Sequence, residues 1–188
     1  MCGLQEIRAR REKRSRRDEG KQWKSHSSQW RDSLDVSGQY RPWTTSGAVL
    51  FGVPATDRVK DLLDCIVAQK GRDGDVNLSA QKACQKVKSQ DVFVDISQSH
   101  LRPTFTDSKG FLPTMTTSSL YYSFRSDSML APIEYLMLQG HSHESKLASL
   151  SPAEVRTLAG EGMSLPSLGV AIWTWFVLIN AKGMVEDS

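Results

Sequence analysis

Cysteine is scarce in this 188-residue chain: Cys2, Cys65 and Cys84 are its only three, widely spaced and forming no Cys-x-x-Cys pair. An odd, scattered set excludes a disulfide scaffold and a thiol-rich zinc motif, and points to a reducing, intracellular compartment. Long hydrophobic runs are missing as well. The most apolar stretch, residues 168–181, is shorter than the roughly 20 residues that a bilayer span requires, so it reads as a buried helix rather than a membrane anchor. The charged start shows no apolar leader segment. A dominant charge is also absent: 24 Lys and Arg stand against 21 Asp and Glu, a net charge of +3. The molecule as a whole is therefore not a polycation of the kind that coats nucleic acid.

What is present is globular. Apolar residues make up 39% and charged residues 24%, which suits one domain with a real core and a small appendage. The positive excess is concentrated in residues 8–17, RARREKRSRR. Such a segment is either a solvated helix face or an arm that touches phosphate. Residues 4–31 read as a polar helix, with Trp23 and Trp30 seven apart and so on one face. The two indoles either dock the arm onto the rest of the chain or stack on nucleic acid. Residues 32–46 are turn-rich and read as a linker. The expected organisation is a basic helical arm and linker over 1–46, followed by a main region over 47–188.

Within that region, residues 47–53 (GAVLFGV) read as a strand ended by Pro54. Thr56 is placed to cap a helix to about Gln69, with Val59, Leu62, Leu63 and Ile66 on one stripe. Residues 70–76 are a loop, 78–88 a weaker helix and 92–96 (VFVDI) a strand. Short extended pieces are expected near 114–117 and 120–124. Pro132 and Glu134 suit a first helical turn, and Gly140 suits the stop. Ser151-Pro152-Ala153-Glu154 is a capping box that opens a helix to about Gly160. A last helix is expected over 166–181. The fold class is α/β, with a small, incomplete sheet and flanking helices.

Other groupings carry less. His141-Ser142-His143-Glu144 offers two imidazoles and a carboxylate, but a zinc site needs three or four ligands in firm geometry. With no second cluster, no metal site is expected. Cys65 lies at an apolar helix position and reads as a core thiol. The Ser/Thr run 114–119, with Arg102, Lys109 and Arg125 around it, suits phosphate contacts and equally suits a Thr-rich hairpin edge.

Three segments in order carry a resemblance. The first is Pro113-Thr114-Met115-Thr116 with the hydroxyl run after it. The second is Pro132, Glu134 and Leu138-Gln139-Gly140. The third is Gly160, Met163 and Pro166 before the closing apolar helix. Together with Asp95-Ile96-Ser97-Gln98-Ser99, they resemble the C-terminal end of the cytosine-C5 DNA methyltransferases, over about residues 92–182. His141 and Ser142 stand where that family has Phe-Pro, and Glu161 and Gly162 where it has Asn and a small residue.

The resemblance implies the end of a recognition lobe and the last two conserved motifs of an S-adenosylmethionine-dependent fold. It implies DNA as partner, with Arg102, Thr114, Thr116, Thr117, Ser118 and Arg125 as contact residues. It also implies a cofactor turn at Gly160, Glu161, Gly162 and Met163. The family's reactive parts are missing: no cysteine follows a proline, no Glu-Asn-Val occurs, and no glycine-rich turn opens a β-α unit. Base flipping needs that catalytic pocket, so no catalytic residue is assigned. A carboxylate at Glu161 would repel the carboxylate of S-adenosylmethionine, so its binding is expected to be weak.

The expected function is a truncated or split methyltransferase-like protein, inactive unless a second chain supplies the catalytic loops, and nuclear if the source is eukaryotic. The alternatives are a non-catalytic nucleic-acid-binding module and a protein-interaction module whose apolar last helix promotes self-association.

Overall fold

A computed structural model of the chain describes residues 22–54, 56–72, 78–142, 150–162 and 164–186, with side chains of the last helix described as far as 177. The basic stretch 8–17, most of the expected N-terminal helix, Met163, His143 and Glu144 lie outside the described residues. The chain divides into two compact units. One takes Leu120–Met129 together with the described residues up to Pro113; the other takes Thr114–Ser119 together with those from Leu130 onward.

The first unit is built on α2 (Asp57–Ile66), which the Thr56 side chain caps by accepting from the Val59 amide. The helix continues into a wider π turn over Val67–Gly71. The expected stripe of Val59, Leu62, Leu63 and Ile66 is buried. It packs into one cluster with Trp43, Val94, Ile96, Tyr122 and Phe124. Helix α3 (Ala80–Ser89) starts at Ser79, whose hydroxyl accepts from the Lys82 amide, and adds Ala83, Cys84 and Val87 to that core.

The sheet is three short antiparallel strands in the order β1 (Phe93–Asp95), β2 (Tyr121–Ser123), β3 (Ser128–Met129). Val94 pairs with Tyr122, and Tyr122 with Met129. The coarse expectation of helices around a small sheet holds in this mixed α and β form.

Asp95, the first residue of the Asp-x-Ser-Gln-Ser phrase, is buried at the end of β1. Its Oδ1 accepts from the Ser97 amide at 3.0 Å, the Ser97 hydroxyl at 2.6 Å and the Leu120 amide at 2.9 Å. The phrase thus closes a turn and ties it to the approach to β2.

Three expectations are corrected. Residues 47–53 form no strand; only Phe51 makes a bridge, to Ser128. The Asp127 carboxylate takes the Val49 and Leu50 amides at 2.6 and 3.0 Å, so neither donor is left for a ladder. Leu50 sits at φ 55, outside the extended region. Residues 114–117 join no strand either: the Ser119 amide donates to the Thr116 carbonyl at 3.1 Å and closes a turn over 116–119. Trp43, expected in a linker, is fully buried. Its amide and that of Thr44 donate to Asp64 at 2.8 and 3.0 Å, and its indole N–H donates to the Tyr122 hydroxyl at 2.9 Å.

A helix through residues 22–33 (α1) belongs to the same unit. It covers a second face of α2, where Ser27 and Arg31 reach Asp61, so that Asp61 and its neighbour Cys65 are core residues, while Asp64 is buried against Trp43 and Thr44. The docking reading of the two indoles holds: Trp23 stacks on His100 at 5.4 Å and Trp30 meets it edge-on at 6.1 Å.

The second unit contains α4 (Pro132–Leu138), α5 (Pro152–Glu161) and α6 (Leu165–Glu186). The α5 capping box is reciprocal: Ser151 Oγ accepts from the Glu154 amide at 3.3 Å, and Glu154 Oε2 from the Ser151 amide at 2.7 Å. Helix α6 is not the buried helix expected. Val170, Ile172, Trp173, Trp175, Phe176 and Val177 are all exposed. Apolar sequence alone does not bury a helix; another layer must cover it, and none does among the described residues. No helix among those residues is long and apolar enough to cross a membrane.

Candidate functional site

In the second unit the three resemblance segments meet. Helix α4 ends at Gly140 (φ 85), where the His141 amide returns to the Leu136 carbonyl at 3.1 Å and closes the stop. The preceding Gln139 turns its side chain into the unit. Its amide nitrogen donates to the Ala159 carbonyl at 2.5 Å and to the Gly162 carbonyl at 3.3 Å. Its backbone carbonyl accepts the Leu165 amide at 2.8 Å, at the start of α6. One glutamine thus joins the end of α4, the end of α5 and the first turn of α6.

Gly160 is required by close approach. A Cβ there would lie 2.3 Å from the Thr117 backbone nitrogen, so the hydroxyl-rich segment 114–119 lies directly on α5. Gly140 faces Pro166 in the same way, at 2.9 Å from the proline Cδ.

Because both of its neighbours are carbonyls, the Gln139 amide orientation is chemically fixed. Its Oε1 is then a buried acceptor with no partner among the described residues. A Cβ on Gly162 would lie 2.9 Å from that oxygen. The unpartnered acceptor therefore lies against Gly162, the residue next to the exposed Glu161. Such a turn suits a cationic group such as an ammonium and opposes a carboxylate.

The expected DNA-contact residues fall in different units. Thr114, Thr116, Thr117 and Ser118 are exposed in the second. There Thr116 Oγ1 lies 3.2 Å from Ser118 Oγ and 3.0 Å from Ser119 Oγ, so some of this hydroxyl capacity is used locally. Arg102 and Arg125 belong to the first unit and are exposed. Arg125 already holds Asp91 with both carboxylate oxygens at 2.6 and 2.7 Å.

The first unit holds a polar cluster that sequence reading did not find. Asp61 is buried between α1 and α2, with Arg31 at 2.8 Å on Oδ1 and with His100 Nε2 at 3.0 Å on Oδ2. The Ser27 hydroxyl also donates to Oδ2. Arg31 is fully engaged, its other arm donating to the Ser37 and Tyr40 carbonyls at 3.2 and 2.8 Å. Burial works to raise the Asp61 pKa; the hydrogen bonds from His100 and Ser27 and the charge of Arg31 outweigh it and hold the carboxyl well below its ordinary value.

Cys65 lies on the same carboxylate, its Sγ 3.8 Å from Oδ2. Asp61, Cys65 and His100 thus present ligand atoms within 4.8 Å of one another. Arg31 beside the carboxylate opposes a cation there, and both carboxylate oxygens are already occupied by donors, so this grouping is read as a hydrogen-bonded core rather than a metal centre. A signal for it exists in the sequence: Ser27 and Arg31 share the helix face of Trp23 and Trp30, and Asp61 and Cys65 are four apart.

The thiol reading of Cys65 holds. It is fully buried and free, and burial, with the neighbouring Asp61 charge, pushes its pKa up to about 12. The thiolate is the reactive form, so Cys65 is expected to stay unlabelled by iodoacetamide at pH about 8 over the time that fully labels a urea-unfolded control. Peptide mass spectrometry checks this; prompt native labelling would show that the α1–α2 interface opens.

No protein-family model matches this chain, and no curated protein matches it. What its sites do has to be read from their own residues.

Proposed function

We propose that this sequence carries the recognition-lobe end and the last two motifs of a cytosine-C5 DNA methyltransferase-like protein, without the thiol and glutamate loops that turnover requires. What supports the reading is the Gln139 junction: the segments that carry the resemblance, 114–119, 139–140 and 160–166, are far apart in sequence and adjacent in one unit. S-adenosylmethionine, when bound, supplies the methyl group; Gln139 Oε1 would hold its ammonium, and Glu161 would weaken its hold by facing the carboxylate. DNA is the proposed partner: in the second unit Thr114, Thr116, Thr117 and Ser118 would meet it, and in the first unit, taken by itself, Arg102 would, with Arg125 only if it leaves Asp91. A second chain bearing the catalytic loops would cover the exposed apolar side chains of α6. The proposed place of action is intracellular, and nuclear in a eukaryote.

Tritium transfer from S-adenosylmethionine to duplex DNA tests the reading. The chain alone is expected to give none, and addition of a chain with a Pro-Cys-Gln loop is expected to restore it. Transfer by the chain alone would refute the missing-half interpretation. Equilibrium dialysis tests the turn: Glu161→Asn is expected to tighten S-adenosylmethionine binding about tenfold, the effect of removing one like charge a few ångströms away in a partly solvated site. Unchanged or weaker binding would remove Glu161 from the cofactor turn.

The exposed α6 side chains favour a second reading, an interaction module that self-associates. Light scattering separates the two, because a clean monomer at high concentration counts against self-association.

A further inference from the structure

The first unit carries a cleft of about 410 Å³ beside α1, lined by no residue of the expected cofactor turn. That is within the range of roughly 300–1,000 Å³ typical of small-molecule sites. Its walls are aromatic and amide-bearing: Trp30 and Phe105 supply ring surface, Gln29 and Gln69 carboxamides, and His100 an imidazole. None of its lining residues is acidic. The nearest carboxylate behind His100, Asp61, is neutralised by Arg31. Cations stand near it instead. Lys70 lies 5.3 Å over the Phe105 ring, and Arg102 is flanked in sequence by the lining residues Leu101 and Pro103.

Two polar groups in this cleft are held in defined states. The Asp61 carboxylate accepts from Ser27 and Arg31, so His100 Nε2 must donate to it. The His100 side chain is fully buried, and its Nδ1 has no partner among the described residues. In the neutral ring that leaves Nδ1 as a bare acceptor, since one ring nitrogen donates and the other accepts. On the other wall, the Trp30 indole N–H donates to Gln69 Oε1 at 3.1 Å. That bond fixes the carboxamide and leaves its amino group as the donor. An acceptor and a donor beside aromatic surface match a flat heterocycle that carries an amino group next to a ring nitrogen acceptor.

We propose that this cleft binds one unstacked nucleobase of the amino-bearing type, cytosine or adenine. The base stacks on aromatic surface, as single-stranded nucleic acids do on proteins. Its exocyclic amine donates to His100 Nδ1, and its ring nitrogen accepts from the Gln69 amide. Lys70 and Arg102 are the groups placed to meet the attached phosphate. The inference rests on the nucleic-acid part of the function proposed above and not on its methyltransferase part.

The test uses the full chain in calorimetric titrations with CMP, AMP, UMP and ribose 5-phosphate, and in anisotropy titrations with a labelled single strand and its duplex. CMP and AMP are expected to bind, UMP at least about tenfold more weakly because its O4 and N3–H reverse both hydrogen bonds, and ribose 5-phosphate not measurably. Gln69→Leu is expected to weaken CMP binding about tenfold. Leu101→Glu, at an exposed rim position, should do the same through the charge it sets against phosphate, with both variants melting like the parent. A single strand that binds more tightly than CMP assigns the site to nucleic acid; equal affinity assigns it to free nucleotide, and either supports the base site. Ribose 5-phosphate binding as tightly as CMP would overturn it, as would parent-like affinity in both variants or no heat with any nucleotide. Duplex binding that survives both variants while CMP fails to bind would overturn the cleft and leave DNA binding elsewhere intact.

Discussion

Replacing Asp61 by alanine is expected to destabilise the first unit by about 3–5 kcal/mol, the usual cost of stranding one member of a buried ion pair. The side chains of Arg31 and Asp61 are only 4% and 7% exposed. Without the carboxylate, the Arg31 charge stays buried with one arm unpaired, and the Ser27 hydroxyl and His100 Nε2 lose their acceptor. Asp61→Asn keeps the volume and one acceptor and should lose less. The double variant Asp61→Leu, Arg31→Met removes both charges and should recover much of the loss, because a buried pair is seldom better than well-packed apolar residues. Urea unfolding at neutral pH measures all three; a loss of less than about 1 kcal/mol in Asp61→Ala would show that water reaches the pair.

The pH dependence of this pair follows from its sign. The folded-state pKa of Asp61 is depressed. Its contribution is therefore present above the unfolded carboxylate value and is lost as the pH falls through the lower, folded value. The stability gap between the parent and Asp61→Asn is expected to stay constant from neutral pH down to the ordinary carboxylate range and to shrink only below it.

Gly160→Ala is expected to destabilise the second unit by about 1–2 kcal/mol. Helix propensity favours the change by about 1 kcal/mol, so packing must decide the sign. The new Cβ would lie 2.3, 2.4 and 2.5 Å from the Thr117 nitrogen, the Thr117 Cα and the Thr116 carbonyl carbon. All three are backbone atoms, which cannot rotate away, and overpacking of this kind typically costs about 1–3 kcal/mol and sometimes more. Gly169→Ala is the control, because nothing lies within 4 Å of its Cβ position. Hydrogen exchange should show faster amides in α5 and in 116–119 for Gly160→Ala, and no loss for Gly169→Ala. Equal behaviour of the two would mean that the 114–119 segment does not rest on α5.

Local signals were legible wherever the deciding groups are a few residues apart. Thr56 and Ser151 announced their helices because a capping hydroxyl reaches an amide three residues on. The Val59, Leu62, Leu63, Ile66 stripe announced its buried face, and Gly140 its helix stop. The Asp95 phrase was noticed as a motif, but its work in closing a turn against Leu120 became visible only when the two were adjacent.

By itself the sequence determined which segments coil into helices, where α2, α4 and α5 start and which stripe of α2 is apolar, since these depend on neighbours within one or two turns; it did not determine every end, because α6 runs past the expected residue 181 to Glu186. Tertiary structure alone decided that Asp61 is buried, because that depends on α1 lying over a polar face that would otherwise be solvated. It likewise decided that Val49 and Leu50 give their amides to Asp127 instead of to a strand, and that Trp173 and Trp175 stay uncovered. Burial is a property of what lies opposite a residue, and the order of residues along one segment does not contain it.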